Sequence, residues 1–199
     1  MTTPVAHAVS LPAGPDAAAV GRHDGAMAAV RSRRFVGREE ELAALRGAAS
    51  RAREGAPAVI VVAGEPGIGK SRLVAEFVAG LRADGEVVAT GHGVDLAGGA
   101  LPYGAVAGLV RDLRASIGTD RIIDILGSRG AVLGSLDPTL AQAGADHADR
   151  HRVFEAVQHL VLGLTEEQLV CLVLEDLHWS DATSLDLVTY LARPSIQVG

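Results

Sequence analysis

Apolar positions along the chain follow two different periods, which predicts a mixture of strands and helices. Apolar runs at 58–63 and 169–174, and a shorter one at 86–91, are typical of buried strands in a parallel sheet. A short helix is expected at 120–126, followed by turns. Apolar residues recur at helical spacing elsewhere, which predicts helices at about 38–54, 70–81, 103–113, 149–164 and 182–192. The order of these elements indicates an α/β fold with a mainly parallel sheet.

The segment between the first strand and its following helix has the pattern of a phosphate-binding loop. It fits G-x-x-x-x-G-K-[ST] with Gly64, Glu65, Pro66, Gly67, Ile68, Gly69, Lys70 and Ser71, and Arg72 comes next. Such glycines let backbone N–H groups surround phosphate oxygens, and the helix N-terminus adds about half a positive charge. We expect Lys70 to reach the β- and γ-phosphates and Ser71 to hold Mg²⁺. Lys70 is the only lysine among 18 basic residues, and arginine does not replace lysine in such a cradle.

Two acids follow the apolar run at 169–174. Glu175 and Asp176 stand at the carboxyl end of this predicted strand, which is the end of an open α/β sheet where ligands bind. One carboxylate is suited to holding Mg²⁺, and the other to orienting or deprotonating an attacking water. Asp181 is expected to cap the last helix, together with Ser180.

Composition narrows the class of protein. The net charge of −6 and pI near 5.6 argue against a general nucleic-acid surface. Cys171 stands inside an apolar run, as a small buried hydrophobe in a reducing compartment would. No apolar run approaches the roughly 18–20 residues that span a bilayer, and the N-terminus has no secretory pattern, so a cytoplasmic location without membrane contact is expected. The composition of residues 1–33 predicts a disordered leader, and residues 34–199 are expected to form the folded domain.

Four stretches in this order carry a family resemblance. They are Phe35-Val36-Gly37-Arg38-Glu39, the loop 64–71, Leu101-Pro102-Tyr103, and the acidic segment 174–181. Together they resemble the AAA-type ATPase module of the STAND class, most closely that of the large ATP-binding LuxR-family transcriptional regulators. The resemblance covers about residues 34–199. It implies a P-loop NTPase fold with three α/β/α layers, in which the strand order of the sheet is 5-1-4-3-2.

The resemblance also implies roles. Val36, Gly37 and Arg38 would lie beside the adenine, the loop would bind the phosphates of ATP or ADP, and the acidic pair would serve Mg²⁺ and water. The module would act as a nucleotide-dependent switch. DNA would be bound only by a separate C-terminal helix-turn-helix domain, which follows helical repeats in that family.

Two departures from the family pattern shape the expected function. Glu175 stands where the family usually has the metal-holding Asp, and the chain stops at about its fourth strand, so the fold is expected to be C-terminally incomplete. An arginine that acts on the γ-phosphate would be expected beyond this point of the family pattern. Because the lack of such an arginine can lower the rate of hydrolysis by ~10³–10⁵, we expect nucleotide binding with weak or no hydrolysis. One alternative is a stand-alone small P-loop ATPase or kinase, with a lid or acceptor site in 119–152. Another is an inert module that associates with itself or with a full-length regulator through an exposed sheet edge.

Overall fold

The chain folds as a mixed α/β protein with parallel strand pairs, as the hydrophobic pattern predicted. The computed structural model describes residues 5–10, 37–93, 95–96, 99–100, 103–140 and 150–192. Its described residues fall into two compact units, one from Val5 to Gly80 and one that begins at Leu81. In the described part of the chain, no helix is both long and apolar enough to cross a membrane.

The first unit is built on two parallel strands. Strand β1 (Val5–Ser10) pairs with β2 (Ala58–Ala63), with Val5 opposite Ala58 and Ser10 opposite Ala63. Helix α1 (Glu39–Arg53) precedes β2, and α2 (Lys70–Ala83) follows it and crosses the unit boundary. The strand and both helices of this unit therefore begin within two residues of their predicted positions.

Strand β1 corrects the prediction for the N-terminal segment. Residues 1–33 were expected to be disordered, yet Val5–Ser10 is a strand. The run V-A-H-A-V-S contains two valines, which favour strands, and the neighbouring backbone of β2 supplies a partner that local periodicity does not reveal. Residues 1–4 and 11–36 lie outside the described part of the chain.

The helices of the first unit bury apolar residues that recur at helical spacing. In α1 the buried residues are Leu42, Leu45, Ala48 and Ala49, and three glutamates occupy its first turn, where they face the positive end of the helix dipole. In α2 the buried residues include Leu73, Phe77 and Val78. Strand β2 differs from the prediction of a buried strand, because Val61 is 50% exposed and the rest of the strand is at most half-buried. A two-stranded sheet covers its own faces poorly, which accounts for this exposure.

The second unit is built on the parallel pair β3 (Val87–His92) and β6 (Val170–Glu175). Val87 lies opposite Val170, and His92 lies opposite Glu175. This pairing agrees with the implied sheet order, in which the second and third strands are neighbours. Two further short strands, β4 (Asp95–Leu96) and β5 (Gly99–Ala100), form an antiparallel ladder. Every residue of β6 is half-buried, so this strand also is less buried than its apolar sequence suggested.

Helices cover this strand pair and enclose an aliphatic core. They are α3 (Gly104–Ile117), α4 (Thr119–Leu126), α5 (Arg150–Thr165) and α6 (Ala182–Leu191), with 3-10 helices at Gly127–Ser135 and Pro138–Leu140. The core is formed mainly by Leu, Val and Ile side chains from α3, α4 and α5. In α6, Ser184 and Leu187 are buried, whereas the apolar residue Leu185 is 41% exposed. Ser184 tolerates burial because its hydroxyl donates to a carboxylate within the same helix turn.

Helix α3 lies unusually close to β3. A Cβ atom built on Gly91 would stand 2.1 Å from the carbonyl oxygen of Ala105, and one built on Gly108 would stand 3.2 Å from the Cα of Gly91. Two glycines thus face each other where strand and helix meet. The contact sets how closely α3 covers the end of the strand that carries His92.

One buried ion pair joins α3 to the turn after the long 3-10 helix. Arg114 donates from Nε to Asp137 Oδ2 at 2.7 Å, and Thr139 donates to Oδ1 from its backbone and hydroxyl. Asp137 is 2% exposed. Burial alone would raise the pKa of Asp137, but the hydrogen bonds from Thr139 and Arg114 hold it below its ordinary value.

Candidate functional site

The phosphate-loop sequence forms the predicted strand, loop and helix. Strand β2 ends at Ala63, and α2 begins at Lys70. Between them, Gly67 and Gly69 have φ angles of 79° and 95°, which L side chains rarely adopt. These two glycines are therefore required by the backbone path. The first amides of α2 have no partner within the helix, as at every helix N-terminus, and they carry its positive partial charge at this loop.

Lys70 lies across the beginning of the loop. Its Nζ donates to the carbonyl oxygen of Gly64 at 2.9 Å and to that of Glu65 at 3.0 Å. Both acceptors are neutral, so these contacts orient the ammonium without cancelling its charge. An ammonium has three hydrogens, and one remains for a further acceptor. The side chains of Ser71 and Arg72, in the first turn of α2, are exposed.

Arg38 reaches the same loop from the start of α1. Its Nη2 donates to the carbonyl oxygen of Ile68 at 2.6 Å. The other terminal nitrogen, Nη1, is buried and has no hydrogen-bond acceptor among the described residues. The backbone of Arg38 is left-handed, with φ 65° and ψ 29°, and Gly37 before it has φ 79°. Val36, predicted to join these two residues beside a base, lies outside the described part of the chain.

The acidic pair stands at the end of β6, in the second unit. Glu175 is the last strand residue, and its Oε2 lies 3.4 Å from Nδ1 of His92 on β3. The N–H of Gly93 donates to the Glu175 carbonyl at 3.0 Å. Asp176 is exposed, has a left-handed backbone with φ 54°, and precedes the 3-10 helix Leu177–Trp179. The two carboxylates therefore differ: one is half-buried beside an imidazole, and the other faces solvent.

Sequence reasoning did not single out His92 or Gly93, although both contact the acidic turn. A Cβ atom on Gly93 would stand 2.3 Å from the carbonyl oxygen of Asp176 and 2.9 Å from the backbone nitrogen of Ser180. Only glycine fits this approach without a shift of the turn. The signal was the G-H-G run at the end of a predicted strand, but its meaning depends on strand register, which periodicity does not give.

Asp181 links two of the sequence motifs. It caps α6 as predicted, accepting from the N–H groups of Thr183 and Ser184 and from the Ser184 hydroxyl. It also accepts from the N–H of Tyr103, at the start of α3. Burial would raise the pKa of Asp181, but these hydrogen bonds hold it below its ordinary value. The carboxylate is therefore ionised at neutral pH and ties the third motif to the fourth.

The non-glycine residues with left-handed backbone fall in the motifs. Among the described residues they are Arg38, Tyr103 and Asp176, and each stands immediately before a helix. Such conformations are disfavoured for residues with a Cβ atom and concentrate at functional sites. The predicted site residues divide between the units: the loop and Arg38 belong to the first, and the acidic pair to the second.

Other candidate chemistry is limited. Within the described ranges, no group of three or more His, Cys, Asp or Glu side chains is arranged to hold a metal ion by itself. Burial raises the pKa of the Cys171 thiol to about 11, so this thiol stays protonated at neutral pH. It matches the expectation of a small apolar residue within a strand.

The comparisons with known proteins agree with the loop geometry. A family model described as AAA ATPase domain matches residues 34–197. No match was found among curated proteins, and none was found among solved structures. The matched range takes in Arg38, the phosphate loop and the acidic turn, and it spans well over half of the sequence. The chain belongs to the AAA ATPase domain family.

Proposed function

We propose that the chain binds ATP with Mg²⁺ and acts as the nucleotide-dependent switch domain of a LuxR-family regulator of the STAND class. The observation that carries the proposal is the position of the Lys70 ammonium, held across the loop by the Gly64 and Glu65 carbonyls. A cation held by neutral acceptors at a helix N-terminus is suited to an anionic ligand. The family match supports a nucleotide as that ligand.

The residues present fit a triphosphate. Lys70 retains one hydrogen for a phosphate oxygen, and the left-handed glycines let the loop curve around a bound group. Arg38 Nη1 is a buried cationic donor that still lacks an acceptor among the described residues. Such donors are costly when unpaired, so an anionic ligand that supplies an acceptor is favoured.

The cation would be held by oxygens of this chain and by water. Mg²⁺ usually takes one or two protein oxygens and keeps several waters. Ser71 is exposed in the first turn of α2, so its hydroxyl is accessible to a cation. Of the two acids, we assign the cation to Glu175 and the attacking water to Asp176, by their order in the family motif. When bound, Mg²⁺ would neutralise charge on the phosphates.

We propose that turnover is low. The family usually has Asp where this chain has Glu175, and the longer side chain lies beside His92, with 3.4 Å between Oε2 and Nδ1. A carboxylate that contacts a neighbouring side chain must give up that contact to bind Mg²⁺. The STAND and LuxR assignment itself is supported by the order of the four motifs, three of which contain a non-glycine residue with left-handed backbone.

Calorimetric titration with ATP and ADP, with and without Mg²⁺, tests the binding. Lys70→Met keeps most of the apolar stem and removes the ammonium, so we expect ATP affinity to fall by about 10- to 100-fold, as for loss of a charge-assisted hydrogen bond. Arg46→Met is the matched control, because Arg46 is an exposed cation on α1 of the same unit. Equal ATP affinity in wild type and Lys70→Met would remove the basis of the proposal.

Measurement of phosphate release tests the proposed low turnover. We expect single-turnover and steady-state rates well below the ~1 s⁻¹ at which ordinary enzymes begin. Asp176→Asn is expected to abolish the residual rate while leaving ATP affinity within about threefold, because this acid is assigned to water. Steady release at ordinary enzymatic rates would refute the low-turnover switch and favour a stand-alone ATPase.

A further inference from the structure

The guanidinium of Arg38 contacts the phosphate loop through its main chain. Nη2 donates to the carbonyl oxygen of Ile68 at 2.6 Å, over 30 residues of sequence. Ile68 stands between Gly67 and Gly69, the two glycines with left-handed backbone, so it lies at the most conformationally permissive part of the loop. A hydrogen bond from a planar, permanently charged group is well suited to fixing such a segment.

The geometry of the peptide bond gives this contact a consequence. In a trans peptide the C=O and N–H of one plane point in opposite directions. The carbonyl of Ile68 and the N–H of Gly69 share one plane, and all peptides in the described residues are trans. By holding the Ile68 oxygen, Arg38 therefore turns the Gly69 N–H away from itself. That N–H belongs to the loop whose amides would bind phosphate.

A second observation points to a ligand at Arg38. Nη1 is buried and finds no acceptor among the described residues, although the guanidinium is always charged. The backbone of Arg38 is also held in the left-handed region at φ 65°. One residue thus combines a left-handed backbone with a buried cationic donor that has no acceptor among the described residues, and such features concentrate at binding sites.

We propose that Arg38 is a positioning residue of the phosphate loop. Its Nη2 holds the Ile68–Gly69 peptide in the binding orientation, and its Nη1 donates a hydrogen bond to an oxygen of the bound triphosphate. The inference rests on the proposed nucleotide binding and deepens it, since the family resemblance places this segment beside the base. A role on the phosphate side and a contact to the base differ in what they predict for a ligand that has phosphates and no base.

Tripolyphosphate separates a role of Arg38 on the phosphate side from a contact to the base. We compare wild type with Arg38→Met, which keeps a Cβ atom and hence the same backbone strain, by titration with ATP and with tripolyphosphate. The expected result is a loss of about tenfold for both ligands, since one charge-assisted contact on the phosphate side is removed. Arg46→Met changes an exposed arginine on α1, the helix that Arg38 precedes, and should leave both affinities unchanged.

The outcomes are distinct. A loss for ATP with unchanged tripolyphosphate binding would overturn the proposal in favour of a contact to the nucleoside, and no loss for either ligand would overturn it outright. If wild type bound neither ligand, the proposed function would fail with it. A thermal midpoint for Arg38→Met close to wild type shows that the variant is folded. If it is not folded, Arg38→Lys replaces it, and wild-type affinity for both ligands in that variant would equally overturn a role that needs the planar guanidinium.

Discussion

Replacing Gly91 by alanine tests the close contact between β3 and α3. The new methyl carbon would stand 2.1 Å from the backbone oxygen of Ala105, whereas ordinary contacts begin at about 3.4 Å. The oxygen belongs to the main chain at the beginning of α3, so no side-chain rotation relieves the overlap. Helix and strand must separate by roughly an ångström, which is a severe case of overpacking in a close-packed interior.

The expected loss is at the upper end for overpacking, about 3 kcal/mol of the free energy of unfolding. For a chain of this size each kcal/mol shifts the melting temperature by about 2–4 °C, so we expect a fall of about 6–12 °C. Urea denaturation at neutral pH and thermal melting followed by circular dichroism measure both quantities. The slope of the urea transition shows whether the unfolded state has changed.

Gly80→Ala is the matched control. Gly80 lies within α2, and a Cβ atom built there meets no atom within 4 Å. Alanine favours a helix over glycine by about 0.5–1 kcal/mol, so this variant should be more stable than wild type. The same chemical change should thus have opposite signs at the two positions. If Gly91→Ala melts within about 1 °C of wild type, the overlap is not what sets the distance between helix and strand.

The two carboxylates with lowered pKa give further predictions. Arg114→Met leaves the buried carboxylate of Asp137 unpaired and should lower the free energy of unfolding at neutral pH by about 3 kcal/mol in urea titrations. Because the folded pKa of Asp137 lies below its unfolded value, the ion pair stabilises the protein above about pH 4. The difference in free energy of unfolding between wild type and variant should therefore shrink as pH falls through the folded pKa. A constant difference down to about pH 2 would contradict this prediction. Asp181→Ala should lower the free energy of unfolding by about 1–2 kcal/mol through loss of the helix cap. Its effect should fade over the same acidic range, because the folded pKa of Asp181 is likewise lowered. Thr189→Ala, at an exposed position on the same helix, is the control, and an equal effect of both changes would argue against the cap.

Structural features that neighbouring residues determine could be predicted from the sequence. The strand 58–63 and the helix that begins at Lys70 depend on hydrophobic period and glycine within a short stretch, and their positions were predicted correctly. The cap at Asp181 follows from the same kind of rule. The predicted chemical roles of Lys70, Ser71 and the acidic pair remain predictions that the proposed titrations test.

Features that depend on partners distant in sequence were not readable. The contact between Arg38 and the Ile68 carbonyl spans 30 residues, and the pairing of His92 with Glu175 requires the register of two strands. Periodicity gives each element its faces but does not say which face meets a neighbour. Strand β1 was missed for the same reason, because the edge of β2 provides its partner.

The contacts of Lys70 have a practical consequence for chemical labelling. Since the sequence holds one lysine, an amine-directed reagent has one side-chain target in the chain, besides the terminal amine. That target is already engaged by the Gly64 and Glu65 carbonyls. Its reactivity therefore reports on the state of a single loop, without mutation or an attached probe. An acetyl group at this nitrogen would remove the charge that the proposed phosphate contact requires.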